Sequence, residues 1–521
     1  MWVVEGQYMH RTMHILEGFG HHHEESSIYP HPYDHPFFGQ YFLAGMLAVA
    51  GYPGSLHLSS STTTDGDIMN SIKMLYLVPR VLIGVLAIFD TFLLYKITER
   101  RYNNRTIALI ASILFAVMPI TWLLRKILLE SLLLPLLLSS ILFALYIKKD
   151  QKRNYNIKNN ILITLLSGIF LGLAILTKIP IFTMIPLVGY FVYTSSNKNW
   201  KILGIWFIPV VLIPLIWPVD SILLGDFDLW IRDVVWHTER QSNNSDSPVG
   251  TTLLNSLKYL FQIEPVLLIL GICGIIFAEI KRDFMLLLWT IPFLIFLFII
   301  DFVSFFHLIL LLPALCITAA RMIADLSNKI SYKKVQQILP FVVILAIGVF
   351  GLTNTIMLIT TNVTSTYFEV YASIVQYLAN GKNNDRNNNN NNNNDDNVMT
   401  MIGRHWTRGL FWIPRYVYNI DLDFKNVDNA NDMPRSIETE KVILLVDNTI
   451  KRSMSDNNND MQNRQQLNIY YHTIPIATFK DKSMHYDHNK YPYASMSENQ
   501  DTKWVEIRAN VSTNNVLWDI D

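Results

Sequence analysis

The chain has 521 residues, of which 51% are hydrophobic, 12% aromatic and only 16% charged. A soluble globular chain carries about 25% charged residues, so a uniformly soluble protein is excluded. Basic and acidic residues number 42 each, and with no basic excess to neutralise phosphates, nucleic acid is excluded as a partner.

The depletion of charge is local. From Met74 to Thr361 the sequence is mostly Leu, Ile, Phe and Val, and from Asn362 onward it is rich in Asn, Asp, Lys and Tyr. That shift predicts three parts: an outer loop with juxtamembrane helices over 1–73, a multi-span transmembrane domain over 74–361, and an outward-facing soluble α/β domain over 362–521.

The first residues, Met1-Trp2-Val3-Val4-Glu5, have neither the basic nor the apolar region of a signal peptide. The segment that follows is dense in titratable groups, among them Glu5, His10, His14, Glu17, His31, Asp34 and His35. In a polar loop beside a membrane mouth, such a carboxylate can act as a base toward an acceptor hydroxyl. His21-His22-His23-Glu24-Glu25 reads either as a solvated loop or as metal ligands, imidazole and carboxylate being common ones. Three successive histidines cannot all face one ion in a regular element, so no metal ligand is assigned and a divalent metal stays open as a cofactor. Phe37–Tyr52 is apolar but shorter than the roughly 20 residues that cross a bilayer, and predicts an interfacial or re-entrant helix.

Apolar runs then predict ten spans: Met74–Lys96, Thr106–Leu124, Ile127–Ile147, Ile161–Thr177, Ile179–Tyr193, Ile202–Leu224, Tyr259–Ile280, Phe284–Ile300, Phe302–Ala320 and Ile338–Thr360. Ile161–Tyr193 is divided because Lys178-Ile179-Pro180 interrupts it, which predicts two short spans meeting at a tight turn. Basic loops mark the cytoplasmic side. Arg100, Arg101 and Arg105, then Lys148–Lys158, Lys198 and Lys201, Lys281 and Arg282, and Arg321–Lys334 all fall on one side only if there are ten spans. The N-terminal loop and the C-terminal domain then face outward from a cell membrane. An outward N-terminal segment also predicts a further span before Met1.

In the last part, Tyr367–Leu378 predicts a helix, and Val398–Gly403, Lys441–Asp447 and Ile469–Phe479 predict strands. The asparagine run Asn387–Asn394 cannot bury apolar surface and predicts a disordered loop over 383–397. Sequons at Asn243, Asn362 and Asn510 fall on the outer side. Cys273 and Cys316 lie in apolar segments and read as small core residues with no disulfide role.

Charges in or beside spans carry most information, because hydrocarbon makes them costly. Arg80 lies near the outer end of the first span, Arg125, Lys126 and Glu130 at a boundary, Lys178 at another, and His307 in the ninth span. Snorkelling accounts for each taken singly. The convergence of Arg80, Arg125, Lys126 and Lys178 on the outer side predicts a basic pocket for a phosphate.

These residues also resemble a known family. Glu5-Gly6-Gln7-Tyr8 followed by His14-Ile15-Leu16-Glu17-Gly18 resembles the first outer loop of the polyprenyl-phosphate-dependent GT-C glycosyltransferases, such as protein O-mannosyltransferases and lipid A aminoarabinose transferases. Tyr33-Asp34-His35-Pro36-Phe37-Phe38-Gly39-Gln40 is similar to the second element of that loop, and Pro79-Arg80-Val81-Leu82-Ile83-Gly84 to the opening of the next span. Arg125–Glu130, Leu176-Thr177-Lys178 and Leu310–Leu315 resemble later motifs, so the likeness covers about residues 1–360.

The resemblance implies a GT-C-like polytopic α-helical membrane protein with a small C-terminal α/β extramembrane domain. It implies an inverting transferase that passes a sugar from a polyprenyl-phosphate to a protein or lipid hydroxyl on the outer face. Its partners would be the lipid-linked sugar, the acceptor and the bilayer. Glu5 and Asp34 would be the catalytic carboxylates, Arg80, Arg125, Lys126 and Lys178 would hold the donor phosphate, and Tyr8, His35, Glu130 and His307 would line the pocket. The family's first aspartate falls at Val4, which cannot accept a proton. That departure keeps a second reading, a catalytically impaired relative that binds lipid-linked sugar. A third, a transporter, predicts internal repeats and charges at the bilayer midplane; no repeat is visible.

Overall fold

The computed structural model describes residues 2–20, 31–52, 65–121, 126–147, 157–243, 253–263, 265–300, 303, 305–360, 369–377, 399–404, 407, 412–413, 422–427, 441–456, 470, 473–480 and 504–510. Arg125, His21–Glu25, Asn387–Asn394 and the sequon residues Asn244 and Asn362 lie outside them.

Helices come first. They are α1 (Trp2–Leu16), α2 (Phe38–Val49), α3 (Asp65–Tyr102), α4 (Arg105–Val117), α5 (Leu129–Tyr146) and α6 (Ile157–Thr177). A 3-10 turn over Ile179–Met184 leads to α7 (Ile185–Ser195), α8 (Trp200–Leu212), α9 (Ile216–Leu224), α10 (Phe227–Asn243), α11 (Leu253–Ile263), α12 (Pro265–Ile280) and α13 (Phe284–Ile300). A second 3-10 segment, Phe305–Leu311, leads to α14 (Leu312–Ser327) and α15 (Lys333–Thr360). Beyond these come α16 over 369–377, strands β1 (Met399–Gly403), β2 (Leu422–Asn426) and β3 (Lys441–Asp447), α17 (Asn448–Asp456), β4 (Thr473–Lys480) and β5 (Trp504–Asn510).

The protein is a polytopic helical membrane protein. Among the described residues six helices are long and apolar enough to cross a bilayer, namely Met74–Tyr102, Leu129–Tyr146, Asn160–Thr177, Trp200–Leu224, His307–Ser327 and Lys333–Ile356. The other four predicted spans are helical but shorter: Arg105–Val117, Ile179–Ser195, Pro265–Ile280 and Phe284–Ile300. Local chemistry sets several boundaries. Asn104 caps α4 by accepting from the amides of Thr106 at 2.9 Å and Ile107 at 3.2 Å. Proline in the first turn starts α7 and α14. Lys178-Ile179-Pro180 breaks the long apolar run as expected, but a six-residue 3-10 helix, not a tight turn, joins the halves.

The chain divides into two compact units: 1–30, 44–79 and 361–521 form one, and 31–43 with 80–360 form the other. In the second, polar groups seal the helix seams. Ser140 Oγ donates to the Ser167 carbonyl at 2.7 Å and Ser167 Oγ to that of Ser140 at 2.9 Å, clamping α5 to α6. Gly274 lets α12 approach α14 closely, since a Cβ there would lie 2.7 Å from the Thr318 backbone. Asp283 ties three helices together by accepting from Tyr102 at 2.7 Å, from Arg101 at 3.5 Å and from Arg321. Asp90 on α3 is fully buried, and neither of its carboxylate oxygens has a hydrogen-bond partner among the described residues. Cys316 is buried, but Cys273 is exposed on α12. This corrects the core reading of Cys273: in a bilayer an apolar position can face hydrocarbon as readily as protein.

In the first unit α1 is a buried helix, where a polar loop beside the membrane mouth was expected. Glu5, Met9, Thr12 and Met13 are fully inaccessible, and His10 and Arg11 nearly so. The sheet has the order β2-β1-β3-β5-β4; β1 pairs in parallel with β2 and β3, and β5 runs antiparallel to β3 and β4. Val442 through Val446 of β3 are all buried, the mark of a central strand covered on both faces. Tyr76 of α3 belongs to this unit, and its hydroxyl accepts from Trp412 Nε1 at 2.9 Å.

Candidate active site

The predicted site residues divide between the two units. Asp34, His35, Arg80, Lys126, Glu130, Lys178 and His307 lie in the second unit, while Glu5 and Tyr8 are buried on α1 in the first.

The second unit builds a site at the junction of α5 and α6. Glu130 stands in the first turn of α5 and Lys178 directly after α6, and their side chains form a buried ion pair. The pairing offsets the cost of removing two charges from water. One Glu130 oxygen accepts from Lys178; the other, Oε2, has no hydrogen-bond partner among the described residues. Lys126 is half-buried just ahead of α5, and its carbonyl accepts from Ser131 Oγ at 2.9 Å. His307 lies on the 3-10 segment that packs against α5.

The 31–37 segment lies on the same junction. Two prolines and a turn from the Asp34 amide to the His31 carbonyl keep it out of helix until Phe38. Tyr33 is buried against Leu176 and Trp217, with Phe37, Phe38 and Trp230 around them. Gly39 fits tightly between the two helices, since a Cβ there would lie 2.7 Å from Leu129 Cδ2 and 2.8 Å from Thr177 Cγ2. Asp34 and His35 are half-buried and lie in the chain between Tyr33, which packs on Leu176, and Gly39, which packs on Leu129 and Thr177.

The sequence reading missed what holds this segment. No element was predicted between the Ile202–Leu224 and Tyr259–Ile280 spans, yet α10 begins there. Asp233 of that helix is fully buried and accepts from the Tyr33 amide at 2.8 Å and from His31 Nδ1 at 3.0 Å. The Tyr33 hydroxyl donates to Asp226 at 3.3 Å. Burial, and then the charges of Asp226, Asp220 and Asp233, push the Tyr33 phenol well above its ordinary range. The spacing of Leu229, Trp230, Asp233 and Val234 on one helical face was the available signal.

Arg80 lies half-buried on α3 next to Pro79. Two turns along the same face begins a cavity of about 420 Å³ lined by Ala87, Ile88, Phe92, Tyr95, Phe115 and Ala116, with the hydroxyls of Thr91, Ser112 and Thr121. No group of three or more His, Cys, Asp or Glu side chains among the described residues is arranged to hold a metal ion.

Spanning helices, a polar junction at one end of the α5–α6 pair and a small mixed sheet make this a polytopic helical membrane protein with a small C-terminal α/β unit. The fold is similar to that of a solved oligosaccharyltransferase. The oligosaccharyltransferase AglB from Archaeoglobus fulgidus, in complex with an inhibitory peptide and a dolichol-phosphate, superposes with a TM-score of 0.50 at 12% identity, over 84% of this chain and 65% of that one. ArnT from Cupriavidus metallidurans bound to undecaprenyl phosphate gives a TM-score of 0.49 at 12% identity, over 98% and 94%. The chain thus spans less than two-thirds of the archaeal transferase. Residues 31–224 match the family model of dolichyl-phosphate-mannose-protein mannosyltransferase. No curated protein matches.

Proposed function

We propose that the chain is an inverting GT-C glycosyltransferase, moving a sugar from a polyprenyl-phosphate donor to a protein or lipid hydroxyl on the outer face of a cell membrane. In this proposal the spans lie within 74–361, and both 1–73 and 362–521 stand outside. The observation that carries it is the alignment of Arg80 with the apolar cavity along one face of α3. A cation at the head of an apolar groove in a bilayer suits a phosphate on an isoprenoid chain. The archaeal transferase of like fold binds dolichol-phosphate, and the family model is named for a dolichyl-phosphate donor.

The charges fit the chemistry. Lys178 is paired with Glu130, and Arg80 and Lys126, with Arg125 of the same motif, are the further cations assigned to the donor phosphate. The donor is a phosphodiester with one negative charge. Breaking its bond to the sugar leaves a phosphate monoester of about −1.5 to −2 at neutral pH, so fixed cations favour the departing group over the ground state. A carboxylate takes the proton of the acceptor hydroxyl as that oxygen bonds to the anomeric carbon. Asp34 serves this role in the second unit, and Glu5 is the other carboxylate in the motifs. In the second unit His35 and His307 line the sugar and acceptor pocket.

The test is transfer by the full chain in nanodiscs, supplied with radiolabelled polyprenyl-phosphate sugars and with peptide or lipid acceptors. Label is expected to pass to one acceptor class. Arg80→Ala should raise the donor KM about tenfold or more, the loss of one charge-assisted contact of about 1.5–3 kcal/mol. Wild-type rates in both Asp34→Asn and Glu5→Gln would remove the proposed base, and no transfer from any such donor would overturn the assignment.

A further inference from the structure

Asp233 lies beyond the end of the 31–224 family match. Its oxygens gather donors from a segment 200 residues away. Oδ2 accepts from the Tyr33 amide at 2.8 Å, and Oδ1 accepts from His31 Nδ1 at 3.0 Å and from Arg232 Nε at 3.2 Å and Nη2 at 3.1 Å. Facing a carboxylate oxygen, His31 Nδ1 is the donor of that bond. Trp236 stacks on the His31 ring with centroids 3.7 Å apart, and Asp226 holds the Tyr33 hydroxyl from the start of the same helix. A buried carboxylate is a costly way to hold a turn that apolar packing could hold alone. What it adds is direction, since two donors on successive sides of Pro32 are set against a rigid helix.

We propose that Asp233 is a positioning residue for the transfer reaction. Its carboxylate fixes the His31–Tyr33 turn so that the next two residues, Asp34 and His35, are presented at the α5–α6 junction beside the Glu130–Lys178 pair. The proposal rests on the glycosyl-transfer function above. Asp233 touches no substrate; it acts through the turn, so its loss lowers turnover and leaves donor affinity to Arg80 and Lys126.

The experiment uses the full chain in nanodiscs with radiolabelled dolichyl-phosphate-mannose and a serine- and threonine-rich peptide, alongside hydrogen exchange of the 31–36 amides. Asp233→Asn keeps the shape but loses the charge. It should lower kcat by about 10- to 100-fold and change the donor KM by less than about twofold, as a misplaced reacting group does. Exchange at the Tyr33 amide should rise in parallel. Adding His31→Gln to Asp233→Asn restores a neutral donor–acceptor pair and should recover part of the lost kcat. If Asp233→Asn does not fold, His31→Ala, which removes one donor only, should still lower kcat at an unchanged melting temperature. A kcat within about twofold of wild type in the folded variants overturns the proposal. So does unchanged Tyr33 exchange, or a donor KM that rises as kcat falls. A wild-type chain that transfers nothing from this or any other polyprenyl-phosphate sugar, to peptide or lipid, sinks the transfer function itself, whereas normal wild-type transfer with an indifferent Asp233→Asn sinks only the positioning role.

Discussion

Helices α5 and α15 are both apolar enough to span a bilayer, yet 78% of the α5 window is buried in the protein and only 18% of the α15 window. Hydropathy does not separate them, because lipid tails are as apolar as leucine and give no reason to prefer one apolar helix inside. Polar groups separate them. The α5–α6 pair carries Ser140 against Ser167 along its length and Glu130 against Lys178 at its end. Such groups need protein partners where water is absent. By contrast, α15 turns Leu345, Val349, Phe350 and Ile356 outward. The candidate site sits on the inner pair, where paired polar groups already have to be held in fixed geometry.

The largest effect expected from this contrast is at Lys178. Lys178→Ala leaves Glu130 buried without its cation and should cost about 3–5 kcal/mol, read as a large drop in melting temperature or loss of folded protein. Lys178→Met with Glu130→Leu should recover most of that loss, because the unpaired charge is gone. If the double variant is no better than the single one, the pair is not what stabilises the α5–α6 junction.

Next in size is a pH effect on the turn over that junction. The Tyr33 phenol is held above its ordinary range by burial and by Asp226, Asp220 and Asp233. In the unfolded chain a tyrosine ionises near pH 10, while the folded chain resists ionisation, so the folded state binds more protons. Stability is unaffected below about pH 10 and falls above it, by up to about 1.4 kcal/mol per pH unit from this group. Melting temperatures from pH 8 to pH 11 should fall less steeply in Tyr33→Phe than in wild type, and parallel curves would refute the assignment.

How much of this was legible follows the same division. Each predicted span overlaps a helix, because runs of Leu, Ile and Phe need no partner to be recognised, and Lys178-Ile179-Pro180 marked its own break. The sheet was read unevenly. Lys441–Asp447 is a strand over the predicted residues, whereas β5 was missed although Val505, Ile507 and Ala509 alternate and are all buried. Among its described side chains β2 buries one apolar group, Phe424, between Asp423 and Lys425 in the chain, too little period to see. At the site, Glu130 and Lys178 stood out as charges beside apolar runs, but their pairing spans 48 residues and exists only once α5 and α6 pack. Asp233 did not stand out, since an aspartate among Asp226, Asp228 and Arg232 reads as solvated until a turn from the far end of the chain covers it.

The smallest effects decide whether buried polar groups or buried area separate the two helices. Ser140→Ala removes one hydroxyl from the reciprocal clamp and leaves the Ser167 carbonyl without that donor. Hydrogen bonds between membrane helices average about 0.6 kcal/mol and reach about 1.7; the Ser167 Oγ bond to the carbonyl of residue 140 survives, so Ser140→Ala should cost at least about that average. Leu345→Ala on α15 removes far more apolar surface, but from a side chain that is 67% exposed and surrounded by hydrocarbon in either state, so it should cost less than about 0.5 kcal/mol, as exposed substitutions do. Both are read by thermal unfolding in the same nanodiscs. Area alone predicts the opposite order, so a Leu345→Ala loss larger than that of Ser140→Ala would mean that α15 is packed against protein in the assembled membrane and belongs with the inner helices.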